Sequence, residues 1–180
     1  MYVRRVEESP AALGKCNEFL RQFHKVSAPI PTPEIEQQLA QHLPALPQPI
    51  TVAAYENKTI RGAATCWAPI ALVAASAKRQ GSAHASKIAT EWRTLTFMAV
   101  DGRHQRKGVG RELVGLLERE CRESGALNIF GFAEDLPTPS WPFYSALGYT
   151  IHPPGQLLLI GGNSYGQSGN RQGRLFSKSI

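Results

Sequence analysis

Long hydrophobic runs are absent from the sequence, and so is the pattern of a secretory signal. The most apolar stretch, residues 67–77, is shorter than the roughly 20 apolar residues that a membrane-spanning helix needs, and Pro69 interrupts it. The N-terminal residues 1–8 read as a strand and contain no apolar core of the signal-peptide kind. We therefore expect a cytoplasmic protein that does not associate with membranes.

Cysteine is also scarce. The sequence has three cysteines, Cys16, Cys66 and Cys121, which is an odd number without any CxxC spacing. This pattern argues against a disulfide framework and provides no cysteine-based metal site. We expect reduced, mostly buried thiols and no bound metal. A catalytic cysteine with a histidine partner is the weaker alternative, because no neighbouring sequence supports one.

The charge of the chain indicates an anionic ligand. The 20 Lys and Arg residues outnumber the 14 Asp and Glu residues, which gives a net charge of +6. A basic surface attracts nucleic acids or small phosphorylated molecules. Here basic residues are concentrated between Arg103 and Arg111, in one short glycine-containing segment. A cluster this small suits a phosphate group and is too short for a nucleic-acid duplex. Aromatic interleaving and nucleic-acid-binding motifs are missing, so we expect a small phosphorylated ligand and no nucleic-acid partner.

The first half of the chain predicts mixed helices and strands, in a single domain that spans residues 1–180. Ser9 followed by Pro10 is a typical helix start. The predicted elements are a strand over residues 2–6, a helix from residue 10 to about 25, a helix from 33 to about 43, and a hairpin of strands 50–55 and 60–67. Residues 71–90 are small and polar, and we expect the second half of this segment to be a mobile surface loop.

The second half predicts a parallel β-α-β unit. It consists of an apolar strand over residues 95–100, a loop over 101–107, an amphipathic helix over 108–124 and a strand over 127–133. The two strands should be parallel, with a right-handed crossover. Beyond this unit we predict a short helix over 142–147, strands over 149–151 and 156–160, a flexible hairpin loop over 161–173 and a final antiparallel strand over 174–180.

The loop at residues 105–110 has the features of an anion site. It lies between a predicted strand and a predicted helix, whose first N–H groups have no partners within the helix and carry the positive end of its dipole. Gly108 and Gly110 allow the backbone to come close to a ligand. The GxxxxGK[ST] phosphate loop is missing, and the dinucleotide pattern GxGxxG fails because Leu113 occupies the place of its last glycine.

Two motifs together resemble the GNAT-type N-acetyltransferase superfamily. The loop matches Q/R-x-x-G-x-G/A, and residues 143–149 match the family's FYxxxG[FY] motif at the usual distance beyond it. The resemblance is specific over residues 95–149, within a motif-bearing core of about 92–150. It implies an α/β (α+β) fold with a mixed, mostly antiparallel central sheet, a parallel β-α-β unit at the cofactor site and helices on both faces. It also implies acetyl-CoA as acyl donor and an amine, in a small molecule or a peptide, as acceptor.

The resemblance assigns roles to individual residues. The backbone of Met98, Ala99 and Val100 should line the pantetheine arm. Seven consecutive residues should hold the pyrophosphate: Gln105, Arg106, Lys107, Gly108, Val109, Gly110 and Arg111. Tyr144 matches the tyrosine that donates a proton to the departing thiolate. A phenol is protonated at neutral pH, so this role is chemically reasonable.

The sequence departs from the family pattern in two places. Residues 137–142 replace the usual Asn-x-x-Ala-x-x, so Ser140 or a backbone group is the expected substitute for the asparagine amide. Thr94 stands where some relatives have a catalytic glutamate. The general base stays open among three carboxylates and water, the carboxylates being Glu91, Glu134 and Asp135. His104 is expected to be a solvated loop residue near the phosphate.

These departures leave an alternative function open. A GNAT-like module that binds CoA as a regulatory or structural ligand, with reduced catalysis, would tolerate the changes at Thr94 and at residues 137–142. The sequence fits either a monomer or a homodimer. It does not identify the acceptor amine.

Overall fold

The computed structural model describes residues 1–23, 46–135, 138–166 and 172–180. The helix predicted over residues 33–43 lies outside these ranges. Within them, the elements follow one another in this order: β1 (Tyr2–Arg5), α1 (Pro10–Arg21), β2 (Ile50–Glu56), β3 (Thr59–Trp67), α2 (Ile70–Gln80), α3 (Ser82–Glu91), β4 (Trp92–Val100), α4 (Val109–Glu123), β5 (Asn128–Glu134), α5 (Trp141–Ser145), β6 (Thr150–Ile151), β7 (Leu158–Ile160), β8 (Asn163–Tyr165) and β9 (Gly173–Ser179).

The strands form a seven-stranded sheet in the order β1-β2-β3-β4-β5-β9-β6, and β7 pairs with β8 in a separate two-stranded sheet. Strands β4 and β5 are parallel, and the pairs on either side of them, β3 with β4 and β5 with β9, are antiparallel. Helix α4 connects β4 to β5. The predicted mixed, mostly antiparallel sheet with one parallel β-α-β unit is therefore confirmed.

Local sequence signals explain several boundaries. The Ser9 hydroxyl accepts a hydrogen bond from the backbone N–H of Ala12 (3.3 Å) and so caps α1, whose first residue is Pro10. Between β2 and β3, Asn57 and Lys58 both have positive φ values, 50° and 66°. Two left-handed residues in succession match the twist of a tight hairpin, which accounts for the turn predicted here.

Helices pack on both faces of the sheet, as predicted. On the face called here the α4 face, the core contains apolar residues of α4 and the strands beneath it: Val52, Ala64, Leu113, Leu117 and Ile129. On the opposite face, α1 covers one half of the sheet, and α2 and α3 cover the other. The core under α2 and α3 includes Val73, Ala85, Ile88, Phe130 and Leu175. No helix in the described part of the chain is long and apolar enough to cross a membrane.

The mobile loop predicted for the second half of residues 71–90 is wrong. Residues 82–91 form helix α3, which is separated from α2 by Gly81 (φ 89°). Ala85, Ile88 and Ala89 are buried, at the i, i+3, i+4 spacing of one helix face. The small alanine side chains made this face inconspicuous in the sequence, although their spacing is that of a core-facing helix.

The loop predicted over residues 161–173 is also partly wrong. It contains strand β8, and residues 167–171 lie outside the described ranges. Asn163 is buried, and its side-chain amide donates to the carbonyl of Gly161 (3.0 Å) and to the side chain of Gln80 (3.3 Å). The bond to Gln80 attaches the β7–β8 hairpin to α2, which a sequence of glycine, serine and asparagine alone does not reveal.

Arg93 is a fully buried charge in the core of the α4 face. Its Nη1 donates to the carbonyl oxygens of Ala89 (2.6 Å) and Thr90 (3.0 Å), and its Nη2 donates to the Ser124 hydroxyl (3.2 Å). Burial lowers the pKa of its guanidinium. The residue therefore connects the end of α3 to the end of α4. The cysteines are free and buried, as expected.

Replacing Arg93 by methionine, which keeps much of the volume, should lower the free energy of unfolding by about 2–4 kcal/mol. The reason is that the buried carbonyl oxygen of Ala89 loses its donor, and the partly buried Ser124 hydroxyl loses its bond from Arg93. Urea unfolding measures the effect, and Arg122→Met on the exposed side of α4 is the matched control. Equal stability of the two variants would contradict a structural role for Arg93.

Candidate functional site

Strands β4 and β5 separate partway along their length. Their parallel pairing runs from Trp92 and Asn128 to Leu95 and Gly131. Beyond this point β4 remains paired with β3 as far as Val100, and β5 remains paired with β9. A bulge on β4 marks the divergence, because the register with β3 skips Thr96. A slot therefore opens between the C-terminal halves of the two strands.

The register fixes which backbone groups of β4 face this slot. The N–H of Asp101 donates to the carbonyl of Arg61 (2.8 Å), which places Asp101 in a hydrogen-bonded pair with β3. Since such pairs alternate along antiparallel strands, Ala99 directs its backbone groups toward β3, and Met98 and Val100 direct theirs toward the slot. The carbonyl of Val100 accepts from the Gln105 side chain (3.1 Å).

The loop after β4 leads from the slot into the start of α4. A 3-10 turn, Gly102–His104, is followed by a turn over residues 105–108, in which Arg106 and Gly108 have left-handed φ values of 59° and 85°. Gly108 precedes the first residue of α4 and has no side chain to cap the helix. The loop side chains from Gln105 to Lys107 are exposed, as is Arg111. Exposed N–H groups and positive charge are thus concentrated at the end of the slot.

The two glycines of the loop have different surroundings. A Cβ atom on Gly108 would meet nothing within 4 Å, so this residue faces open space. A Cβ atom on Gly110 would lie 3.1 Å from Met98 Cε and 3.2 Å from the Phe143 ring. Gly108 therefore suits a close approach by a ligand, whereas Gly110 allows α4 to pack closely on β4 and α5.

The expectation that His104 is solvated is wrong. The residue is buried at 9% exposure, and its Nε2 lies 3.2 Å from Glu56 Oε2 on strand β2. The partner is 48 positions away in the sequence, so no local pattern could have indicated the contact. His104 is thus part of the support of the loop and not of its exposed surface.

Tyr144 lies beneath the slot, on the α4 face. Its ring stacks on Phe176, with centroids 3.9 Å apart and planes 13° apart, and the edge of Phe143 packs against it. Its hydroxyl is 3.8 Å from the sulfur of Met98 on β4. Burial raises the pKa of Tyr144, so the phenol stays protonated well above neutral pH. The protonated hydroxyl donates to the sulfur of Met98, a residue of the strand that borders the slot.

The other predicted site residues are distributed along the two strands. Ser140 precedes α5, and its backbone N–H donates to the carbonyl of Glu134 (3.4 Å), so the start of α5 is attached to the end of β5. Glu134 is exposed at the end of β5, and Asp135 follows it. Glu91 lies at the opposite end of β4, where its side chain is 3.9 Å from Lys87. Among the described residues, no cluster of His, Cys, Asp or Glu could hold a metal ion.

Comparison with known proteins identifies the family. Residues 16–149 match the model of the acetyltransferase (GNAT) family, and the chain belongs to this family. A solved structure of an aminoglycoside 6'-N-acetyltransferase complexed with coenzyme A has 16% identity and a TM-score of 0.62, covering 99% of this chain and 97% of that chain. No curated protein matches the sequence significantly.

Two further solved structures have the same fold. The aminoglycoside 6'-N-acetyltransferase from Enterococcus faecium has 16% identity and a TM-score of 0.60, covering 99% of this chain and 97% of that chain. The ribosomal-protein-S18-alanine N-acetyltransferase from Escherichia coli has 15% identity and a TM-score of 0.60, covering 99% of this chain and 94% of that chain. The fold inferred from the sequence resemblance is confirmed.

The left-handed conformation at Gly108 allows a test of the loop. Gly108→Ala should weaken CoA binding about tenfold, because an alanine there costs roughly 1–2 kcal/mol and the turn relaxes away from its present shape. Calorimetric titration with CoA measures the change. Gly115→Ala, on the exposed side of α4, is the control: it should raise stability by about 0.5–1 kcal/mol and leave affinity unchanged. Unchanged CoA affinity in Gly108→Ala would contradict the prediction that residues 105–110 bind the pyrophosphate.

Proposed function

We propose that the protein is an N-acetyltransferase that moves an acetyl group directly from acetyl-CoA to a primary amine. The observation that carries the proposal is the slot between β4 and β5, which ends at an uncapped helix start surrounded by exposed basic residues. A strand edge suits an extended amide-containing chain, and a helix start suits phosphate. We also propose a cytoplasmic location, where its three unpaired thiols would stay reduced.

The pyrophosphate of the cofactor would lie at the helix start, and its pantetheine arm would lie along the strand edge. The pyrophosphate would accept hydrogen bonds from amides of residues 105–110, with Arg106, Lys107 and Arg111 supplying attraction from the exposed rim. The pantetheine amides would pair with backbone groups of Met98 and Val100, which face the slot. Ser140, at the start of α5, would border the arm on the β5 side.

The thioester would then reach the part of the slot where the strands diverge. A backbone N–H of β4 would stabilise the oxyanion that forms when the amine attacks. Tyr144 would donate a hydrogen bond to the departing sulfur. Its pKa is raised by burial whereas a free thiol has a pKa near 8.5, so the hydroxyl stabilises the thiolate chiefly as a hydrogen-bond donor.

Among the three carboxylates left open by the sequence, we propose Glu134 as the acceptor of the amine proton. It lies three residues beyond Gly131, where the pairing of β4 with β5 ends, on the sheet face opposite Tyr144. A hydrogen-bond donor on one side of the slot and a base on the other suit a direct transfer. Glu91 lies before the paired segment, at the far end of β4. Asp135 follows the end of β5, and one of its carboxylate oxygens is buried without a hydrogen-bond partner.

The acceptor is proposed as a primary amine of a small molecule or of a peptide or protein. Enzymes with this fold are named for an aminoglycoside and for an alanine of a ribosomal protein. The test is a panel of amines, incubated with the protein and acetyl-CoA, with release of free CoA thiol as the readout. Amine-dependent thiol release supports the transferase. Binding of CoA without transfer to any amine would instead support a module that binds CoA as a regulatory ligand.

The Tyr144 hydroxyl gives a sharper test. Tyr144→Phe should lower kcat by about 10²–10³-fold, while CoA affinity and stability stay near wild type. Stability should be retained because the hydroxyl contacts a thioether sulfur, which is a weak acceptor. The readouts are thiol release, calorimetry and urea unfolding.

Tyr149→Phe is the matched control for this variant. Tyr149 is also buried and packs against the same Phe176 ring, and burial and the Glu118 carboxylate raise its pKa. Removing this hydroxyl should reduce stability and leave kcat nearly unchanged. Normal turnover in Tyr144→Phe, or equal losses of turnover in both variants, would contradict the role given to Tyr144.

A further inference from the structure

Four charged or polar side chains form a closed ring beneath the loop. His104 Nε2 lies 3.2 Å from Glu56 Oε2, and its Nδ1 lies 3.8 Å from Asp101 Oδ2. Arg61 contacts the same two carboxylates, with its Nε 3.4 Å from Glu56 and its Nη1 3.4 Å from Asp101. Each carboxylate therefore faces both the imidazole and the guanidinium.

The ring connects two separate parts of the fold. Glu56 and Arg61 flank the tight turn between β2 and β3, which is fixed by its two left-handed residues. Asp101 caps the start of the 3-10 turn Gly102–His104, and His104 is its last residue, directly before residues 105–110. The side chain of Asp101 also accepts from the backbone N–H of Arg103 (3.0 Å), and this bond is the main cause of the lowered pKa of its carboxyl.

Burial makes His104 the central member of the ring. It is 9% exposed, whereas residues 105–108 after it are exposed. Its backbone N–H donates to the carbonyl of Asp101 (2.7 Å), which closes the turn. The backbone N–H of Gln105 then donates to the carbonyl of Gly102 (3.4 Å), so the loop begins directly from the turn that His104 closes.

We propose that Glu56 and His104 are positioning residues for the phosphate-binding loop: they hold residues 105–110 in the binding conformation before CoA arrives. This inference rests on the proposed function, because it takes the loop to be the pyrophosphate site. A loop that is ordered in advance binds more tightly, since less conformational entropy is lost on binding. The ring supplies that order from the β2–β3 hairpin.

The test compares CoA affinity, loop protection and stability in the full chain. Glu56→Gln and His104→Leu should raise the Kd for CoA about tenfold, measured by calorimetry. In the free protein, amides of residues 103–110 should exchange with deuterium faster than in wild type. His104→Gln, which retains a side-chain donor toward Glu56, should restore most of the affinity.

A second ion pair of the fold provides the matched control. Lys178 on β9 donates to both carboxylate oxygens of Glu118 (2.9 Å each), which lies on α4 about two helical turns beyond Gly110. Glu118→Gln should lower the melting temperature about as much as Glu56→Gln and leave the Kd for CoA and the loop exchange unchanged. An effect confined to the ring variants distinguishes positioning from a general loss of stability.

The outcomes separate this inference from the proposed function. If wild type binds CoA and the ring variants bind it equally well, the positioning role is wrong and the proposed function stands. If Glu118→Gln weakens CoA binding as much as the ring variants do, the positioning role is also wrong, and the ring only stabilises the fold. If the wild-type protein does not bind CoA at all, the proposed function itself fails, and the inference fails with it.

Discussion

Strands β4 and β5 pair only between Trp92–Leu95 and Asn128–Gly131, and the site depends on where that pairing stops. Strand β5 continues to Glu134 with β9 as its partner, and β4 continues to Val100 with β3 as its partner. Both strands therefore stay ordered after they have separated. Because helix α4 must connect them, its start lies at the open end of the slot, so the strand edge and the helix start form one continuous surface.

The two sides of this surface are built differently. On the α4 face, Tyr144, Tyr149 and Phe176 form a buried aromatic cluster, which holds the Tyr144 hydroxyl against β4 without a strong hydrogen bond. The loop side is exposed, and its order comes from beneath, through Glu56 and His104. An apolar support on the α4 face and a charged support from the β2–β3 hairpin thus hold different parts of the proposed site.

The sequence predicted the elements whose signals are local. The apolar strand before the loop, the amphipathic helix α4 and the following strand are present as expected. Helix α3 was missed because alanines form much of its buried face. The burial of His104 and the end of the β4–β5 pairing depend on partners distant in the chain, such as Glu56 and Gly131, and no single-segment pattern contains them. The individual site residues remain predictions.

A crystal structure of the protein with bound CoA tests the central claim most directly. We expect the pyrophosphate oxygens to lie within about 2.7–3.2 Å of backbone nitrogens in residues 105–110. The pantetheine arm should lie between β5 and the β4 edge at Met98 and Val100, with its sulfur near the Tyr144 hydroxyl. CoA bound elsewhere, with the slot and the start of α4 unoccupied, would contradict the account.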